Sequence, residues 1–89
     1  MNKLVCPVCG YNSIEGPTLK WSICPCCSTQ FGLTDALRSY DIIRKRWIKN
    51  HAVWKSEVVK RPDDFDPVKQ LLNIHYLCTQ EDLSLIHSL

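Results

Sequence analysis

Apolar residues recur through the second half of the chain at helical spacing. Ala36, Leu37, Tyr40, Ile43 and Trp47 fall three or four positions apart, so they share one face of a helix beginning near Thr34. Thr34 is the expected N-cap, with Asp35 in the first turn, where the helix dipole favours negative charge. Arg38, Lys45 and Lys49 occupy roughly the opposite face, where solvated charges normally sit. Asn50 or His51 should end the helix, since Asn tolerates a left-handed backbone. Residues 52–65 show no period and read as an irregular connection carrying Trp54 and Phe65. A second helix starts at Asp66-Pro67, an N-cap followed by proline at the first helical position. Val68, Leu71, Leu72, His75 and Cys78 then fall on one face. Thr79 followed by Asp82 resembles a capping box for a last short helix through Leu83, Leu85 and Ile86.

The first third lacks this period. Residues 3–6 and 18–24 read as two strands of a small hairpin, with Gly16-Pro17 as its turn. Trp21 and Tyr11 are expected to give the hairpin apolar cover. The pattern as a whole predicts an α+β domain: a small β-hairpin part over residues 1–33, then about three α-helices over 34–89, sharing one core. Trp47, Trp54, Leu71 and Leu72 are the expected heart of that core.

Six cysteines change the picture. Cys6-Pro7-Val8-Cys9-Gly10 and Cys24-Pro25-Cys26-Cys27 each offer a Cys-x-x-Cys pair, with 14 residues from Gly10 to Ile23 between them. Thiolates two residues apart on a tight turn can both face one tetrahedral ion at about 2.3 Å. Two such turns complete a closed four-sulfur shell, which is structural in character because no coordination position stays open. The spacing between the pairs is slightly below the ~15–20 residues common for such sites. Cys6, Cys9, Cys24 and Cys27 are the expected ligands, and Cys26 is a spare thiol beside them. Zinc is the expected metal; iron is the alternative, because rubredoxin-like sites also use Cys-x-x-Cys-Gly turns. Gly10 suits the left-handed position that closes a knuckle. Ser28 stands at the matching place in the second, where the same geometry would cost about 1–2 kcal/mol. His75 and Cys78, three apart, could chelate a second ion but read better as a core histidine and a thiol.

An 89-residue chain builds one small domain, in which a hydrophobic core alone supplies little surplus stability. A structural zinc contributes on the order of 10–16 kcal/mol of apparent binding free energy, so the first third should need its metal to fold. Three disulfides would be the other use of six cysteines. However, the chain opens Met-Asn-Lys-Leu-Val-Cys, with no apolar run of signal-peptide length. The thiols are therefore expected to stay reduced in the cytoplasm. No stretch approaches the ~20 apolar residues of a membrane span.

The net charge of +2 is uneven. Residues 34–61 carry eight basic side chains against Asp35, Asp41 and Glu57, a balance of +5; residues 62–89 carry Lys69 against five acidic ones, a balance of −4. A basic middle invites a nucleic-acid reading, unless the acidic third packs beside it.

Cys6-Pro7-Val8-Cys9-Gly10-Tyr11, Ile23-Cys24-Pro25-Cys26-Cys27, Phe31-Gly32, Arg44-x-x-Trp47-Ile48, Trp54 and Phe65-Asp66-Pro67-x-x-Gln70-Leu71 together resemble the small bacterial cysteine-rich CPCC proteins. The resemblance spans most of residues 6–74. It implies a ribbon with attached helices, ligation by Cys6, Cys9, Cys24 and Cys27, no enzymatic activity, and partnership with a toxin protein. Ser28 and Asn50 depart from it, since glycine is common at both places.

Three function classes follow. The first is a protein-binding module, such as an immunity or adaptor protein. The second is a zinc-ribbon nucleic-acid binder using Arg38, Arg44, Lys45, Arg46 and Lys49. The third, an enzyme, is disfavoured: no Ser/His/Asp set, carboxylate pair or phosphate-cradling glycine loop is recognisable. Protein binding is preferred over nucleic acid because the aromatics look committed to the core instead of forming a base-stacking surface among the basic residues.

Overall fold

Two tight cysteine turns and two helix caps dictate most of the chain path. The computed structural model describes residues 3–89 and has the expected α+β class. Strand β1 (Lys3–Leu4) pairs antiparallel with β2 (Ile14–Glu15), Lys3 opposite Glu15 and Leu4 opposite Ile14. This corrects the expected hairpin, in which residues 18–24 were the partner of 3–6. Here each knuckle sits at the tip of its own hairpin. The first is closed by β1 and β2, the second by an antiparallel bridge between Ile23 and Gln30. The physical reason is loop length: a strand leaving the knuckle pairs with its nearest neighbour at lower entropic cost than with one farther along the chain. Gly16-Pro17 therefore joins the two hairpins and is not the tip of either.

The helical part begins differently as well. The expected first helix is broken into α1 (Thr34–Leu37) and α2 (Tyr40–Lys49). Arg38 is extended between them, and the side chain of Ser39 accepts the N–H of Ile42, capping α2. Thr34 lies inside α1 instead of capping it, and its Oγ1 accepts the N–H of Gln30. Asp35 is in the first turn as expected, accepting from Gly32 N–H at 2.7 Å and from the Tyr40 hydroxyl at 2.9 Å. Asn50 does end α2, but the left-handed residues are the next two, His51 and Ala52.

Helix α3 (Pro67–Leu71) starts at Asp66, whose carboxylate accepts from the Val68 and Lys69 N–H groups. A 3₁₀ segment, Leu72–Leu77, follows with a kink at Ile74. Helix α4 (Gln80–His87) carries the full Thr79–Asp82 capping box. Helix α4 packs against both α2 and α3.

One core joins both parts of the chain. Val8, the cysteines of both knuckles and Phe31 pack with Ile43, Trp47 and Ile48 from α2, Leu71 and Ile74 from the α3 region, and Ile86 from α4. Trp47 is buried and its indole N–H donates to Val53 O. Trp54 is half-buried in an edge-to-face relay between Tyr11 and Phe65, with ring centroids 5.3 and 5.8 Å away.

Four core expectations need correction. Leu72 is exposed, because the 3₁₀ twist after Leu71 turns Ile74 inward in its place. Trp21, at positive φ, lies on the surface across the backbone of Gly32 and covers no sulfur cluster. Ala36 and Leu37 are exposed, since α1 buries no residue. His75 is also exposed, and donation from Nδ1–H to Leu72 O at 3.3 Å is its only side-chain hydrogen bond among the described residues.

Candidate metal centre

The two knuckles share one backbone pattern. In the first, Gly10 N–H donates to Cys6 O and Cys6 N–H to Tyr11 O; in the second, Ser28 N–H donates to Cys24 O and Cys24 N–H to Thr29 O. Both turns close through a left-handed residue, Gly10 at φ 86° and Ser28 at φ 68°. Serine therefore takes up the strained geometry that glycine accepts freely.

This near-symmetry places four sulfurs together. The Sγ atoms of Cys6, Cys9, Cys24 and Cys27 all lie within 4.8 Å of one another, and all four residues are buried. Cys6 and Cys27 sulfurs are 3.7 Å apart, Cys9 and Cys24 sulfurs 3.6 Å. A tetrahedron with metal–sulfur bonds of about 2.3 Å has edges of about 3.8 Å, so the cluster fits a tetrathiolate ion. These separations are far beyond the ~2.05 Å of a disulfide, and all six cysteines are free thiols.

The electrostatics point the same way. Burial raises the Cys9 thiol well above its ordinary range, and hydrogen bonding to Cys24 and Cys27 raises Cys6. Cys27 is pushed down, as the acceptor of hydrogen bonds from Cys24, Cys6 and Cys9. Burial disfavours several thiolates side by side, and a divalent cation is what would let four coexist.

Polar side chains from the helical part hold both knuckles from outside. Arg44 does most. Its Nε donates to Val8 O at 2.9 Å and its Nη2 to Pro7 O, the two carbonyls between Cys6 and Cys9. Its Nη1 meets Asp41 at 2.8 Å, Leu77 O at 3.1 Å and Asp82 Oδ2 at 3.3 Å. Gln70 Nε2 reaches both turns, donating to Cys9 O at 3.1 Å and to Cys26 Sγ at 3.2 Å. Asn73 donates to Gly10 O. On the second knuckle, the Lys55 and Ser56 N–H groups donate to Cys26 O and Pro25 O. At the sulfurs, Val8 N–H points to Cys6 and the Thr29 hydroxyl lies 3.1 Å from Cys27. Such outer partners orient ligands and set their basicity.

Cys26 is buried outside the four-sulfur cluster, its sulfur accepting from Gln70. Cys78 is half-buried on the far side, with its thiol directed at Ile74 O, and exposed His75 forms no cluster with it.

The basic set divides. Arg44 is 1% exposed and unavailable to a nucleic acid, against the expectation that it lined a binding face. Lys45 Nζ lies 3.1 Å from Asp82 Oδ1, an attraction without an aligned hydrogen bond. Arg38, Arg46 and Lys49 remain exposed. Asp82 itself is fully buried. Burial alone would raise its carboxyl, but the Thr79 N–H, the Lys45 ammonium and the Arg44 guanidinium outweigh this and hold it below the ordinary carboxylate range.

The Arg44–Asp82 network has no signature in the cysteine spacing. One signal was present: Arg44 lies between Ile43 and Trp47–Ile48, within the apolar stripe where a charge requires a buried partner. No family model, curated protein or solved structure matches this chain.

Proposed function

We propose that this chain is a non-catalytic, structural-zinc protein of the CPCC kind that acts by binding another protein, with a toxin as the candidate partner. The metal role rests on the four-sulfur cluster, whose closed shell leaves no position for substrate. Zinc is preferred to iron because it asks only for four thiolates in a tetrahedron and no redox partner.

The observation that carries the binding role is the face around α1. This helix buries none of its residues, yet it displays Leu37 at 82% exposure. Leu33, just before it, and Trp21, across Gly32, are also exposed. Clustered apolar side chains of this size on a small domain mark an interaction surface more often than a solvent face. An interface of ~1,200–2,000 Å² in total is within reach of so small a domain.

The experiment is recovery of a partner by photo-crosslinking from a probe at position 37, in parallel with a probe at position 69. Capture through 37 that Leu33→Asp and Trp21→Asp abolish, with zinc content unchanged, is the expected result. Duplex DNA or RNA binding with a log–log salt slope near −0.9 per phosphate contact, lost in Arg38→Glu/Lys49→Glu, would overturn it in favour of nucleic acid.

A further inference from the structure

A concavity lies against the second knuckle. It encloses about 230 Å³ over a floor of Ile43 and Trp47, beside Cys27. Its walls carry three cations, Arg38, Arg46 and Lys55, together with the hydroxyl side chains Ser28, Thr29 and Thr34. The cations come from three separate segments: the extended link between α1 and α2, the body of α2, and the connection pinned by Lys55 N–H to Cys26 O. None of the three forms an ion pair among the described residues, whereas Arg44 and Lys45 on the same helix both do. Of the two acids nearest Arg38 in sequence, Asp35 has both oxygens engaged by Gly32 N–H and the Tyr40 hydroxyl, and Asp41 pairs with Arg44.

Three like charges around one small hollow repel one another, and a bound anion would relieve that repulsion. We propose that this hollow is a binding site for the terminal phosphate of a phosphomonoester. The charge fits: a phosphomonoester carries about −1.5 to −2 at neutral pH, against three cations. The size fits as well. The cavity lies below the ~300–1,000 Å³ of sites that enclose drug-sized ligands, so it holds a phosphoryl group and little of what bears it. Donors are in place. Arg38 and Arg46 offer planar forks that match phosphate oxygens. The Ser28 hydroxyl has no hydrogen-bond partner among the described residues, and the Thr34 hydroxyl accepts from Gln30 N–H, which leaves its proton free to donate. Thr29 is buried and turned to Cys27, so its backbone, not its hydroxyl, would report a bound anion. A nucleic-acid backbone would instead want an extended row of cations, and here they converge.

The site borders α1 through Thr34 and Arg38 but uses none of the apolar side chains proposed to meet a partner, so its test needs no partner. Its test is a ¹⁵N–¹H titration of the zinc-loaded full chain with inorganic phosphate, phenyl phosphate, chloride at matched ionic strength, and an unphosphorylated DNA duplex. Saturable shifts at the Ser28, Thr29 and Lys55 amides are expected with the first two probes only. Arg46→Ala and Lys55→Ala should each weaken phosphate binding about tenfold, because each removes a charge-assisted hydrogen bond. Lys20→Ala, an equal loss of charge elsewhere, should leave it unchanged. Zinc content and the dispersed spectrum confirm that each variant is folded. Equal weakening by Lys20→Ala, equal shifts with chloride, shifts with the duplex alone, or no saturation with phosphate would each overturn the assignment.

Discussion

Arg44 is the side chain whose loss should be felt most widely. It is buried, and its three nitrogens donate to the first knuckle, the Asp41 and Asp82 carboxylates and the Leu77 carbonyl. Such a network adds modest net stability over an apolar replacement, but breaking it leaves buried groups unpaired. Arg44→Met should therefore cost about 3–5 kcal/mol in denaturant unfolding of the zinc-loaded protein. Arg44→Lys should recover little, because an ammonium cannot span the same acceptors. A loss of under ~1 kcal/mol for Arg44→Met would show the clamp to be incidental. Its partner Asp82 sets a pH dependence. The folded carboxyl lies below the ordinary value, so its stabilisation is fully present above the unfolded value, about 3.9, and is lost only as pH falls through the lower, folded one. The Asp82 side-chain ¹³C signal should accordingly titrate below the ordinary aspartate value of about 3.9; a midpoint at or above it would contradict this. Only the place of Arg44 in the apolar stripe was legible in the sequence; its acceptors on the knuckle are backbone carbonyls, 36 and 37 positions away, which carry no residue signature.

The elements were legible where their signals were local. Asp66-Pro67 and Thr79–Asp82 fixed two helix starts because a cap is decided within four residues. The α1–α2 break was missed although Ser39 and Asp41 signal a cap, because the apolar spacing runs through it unbroken. The hairpins were misplaced because two-residue strands leave almost no alternation to read. The knuckles themselves allow a reciprocal test. Gly10 takes φ 86°, and a Cβ there would strike the Gln70 carbonyl oxygen, so Gly10→Ala should destabilise by more than the ~1–2 kcal/mol of backbone strain alone. Ser28→Gly should relieve the same strain in the second knuckle and stabilise by up to about 1 kcal/mol, after the added flexibility of the unfolded chain is subtracted. Thermal unfolding of both variants checks this, and destabilisation by Ser28→Gly would mean that the hydroxyl outweighs the strain.

At the scale of the whole molecule, the cysteines are the point where the hairpins and helices meet. The sulfur cluster lies within the common core, and Arg44, Gln70 and Asn73 carry the helices to the knuckle backbones. Removing the metal should therefore loosen the helical part as well as the ribbon, since its struts end on carbonyls that the metal holds in place. The cysteine spacing was enough to bring out the four-sulfur arrangement, because a closed tetrahedral shell needs little more than two paired turns. The spacing could not place Cys26. That thiol lies in the same turn as Cys24 and Cys27 and is equally buried, but it turns to Gln70. The most direct measurement is zinc per chain, by elemental analysis, in the native protein and in each Cys→Ser variant. One zinc should remain in Cys26→Ser and in Cys78→Ser, and be lost or sharply reduced in the Cys6, Cys9, Cys24 and Cys27 variants. Full zinc in Cys24→Ser or Cys27→Ser together with loss in Cys26→Ser would contradict the assignment.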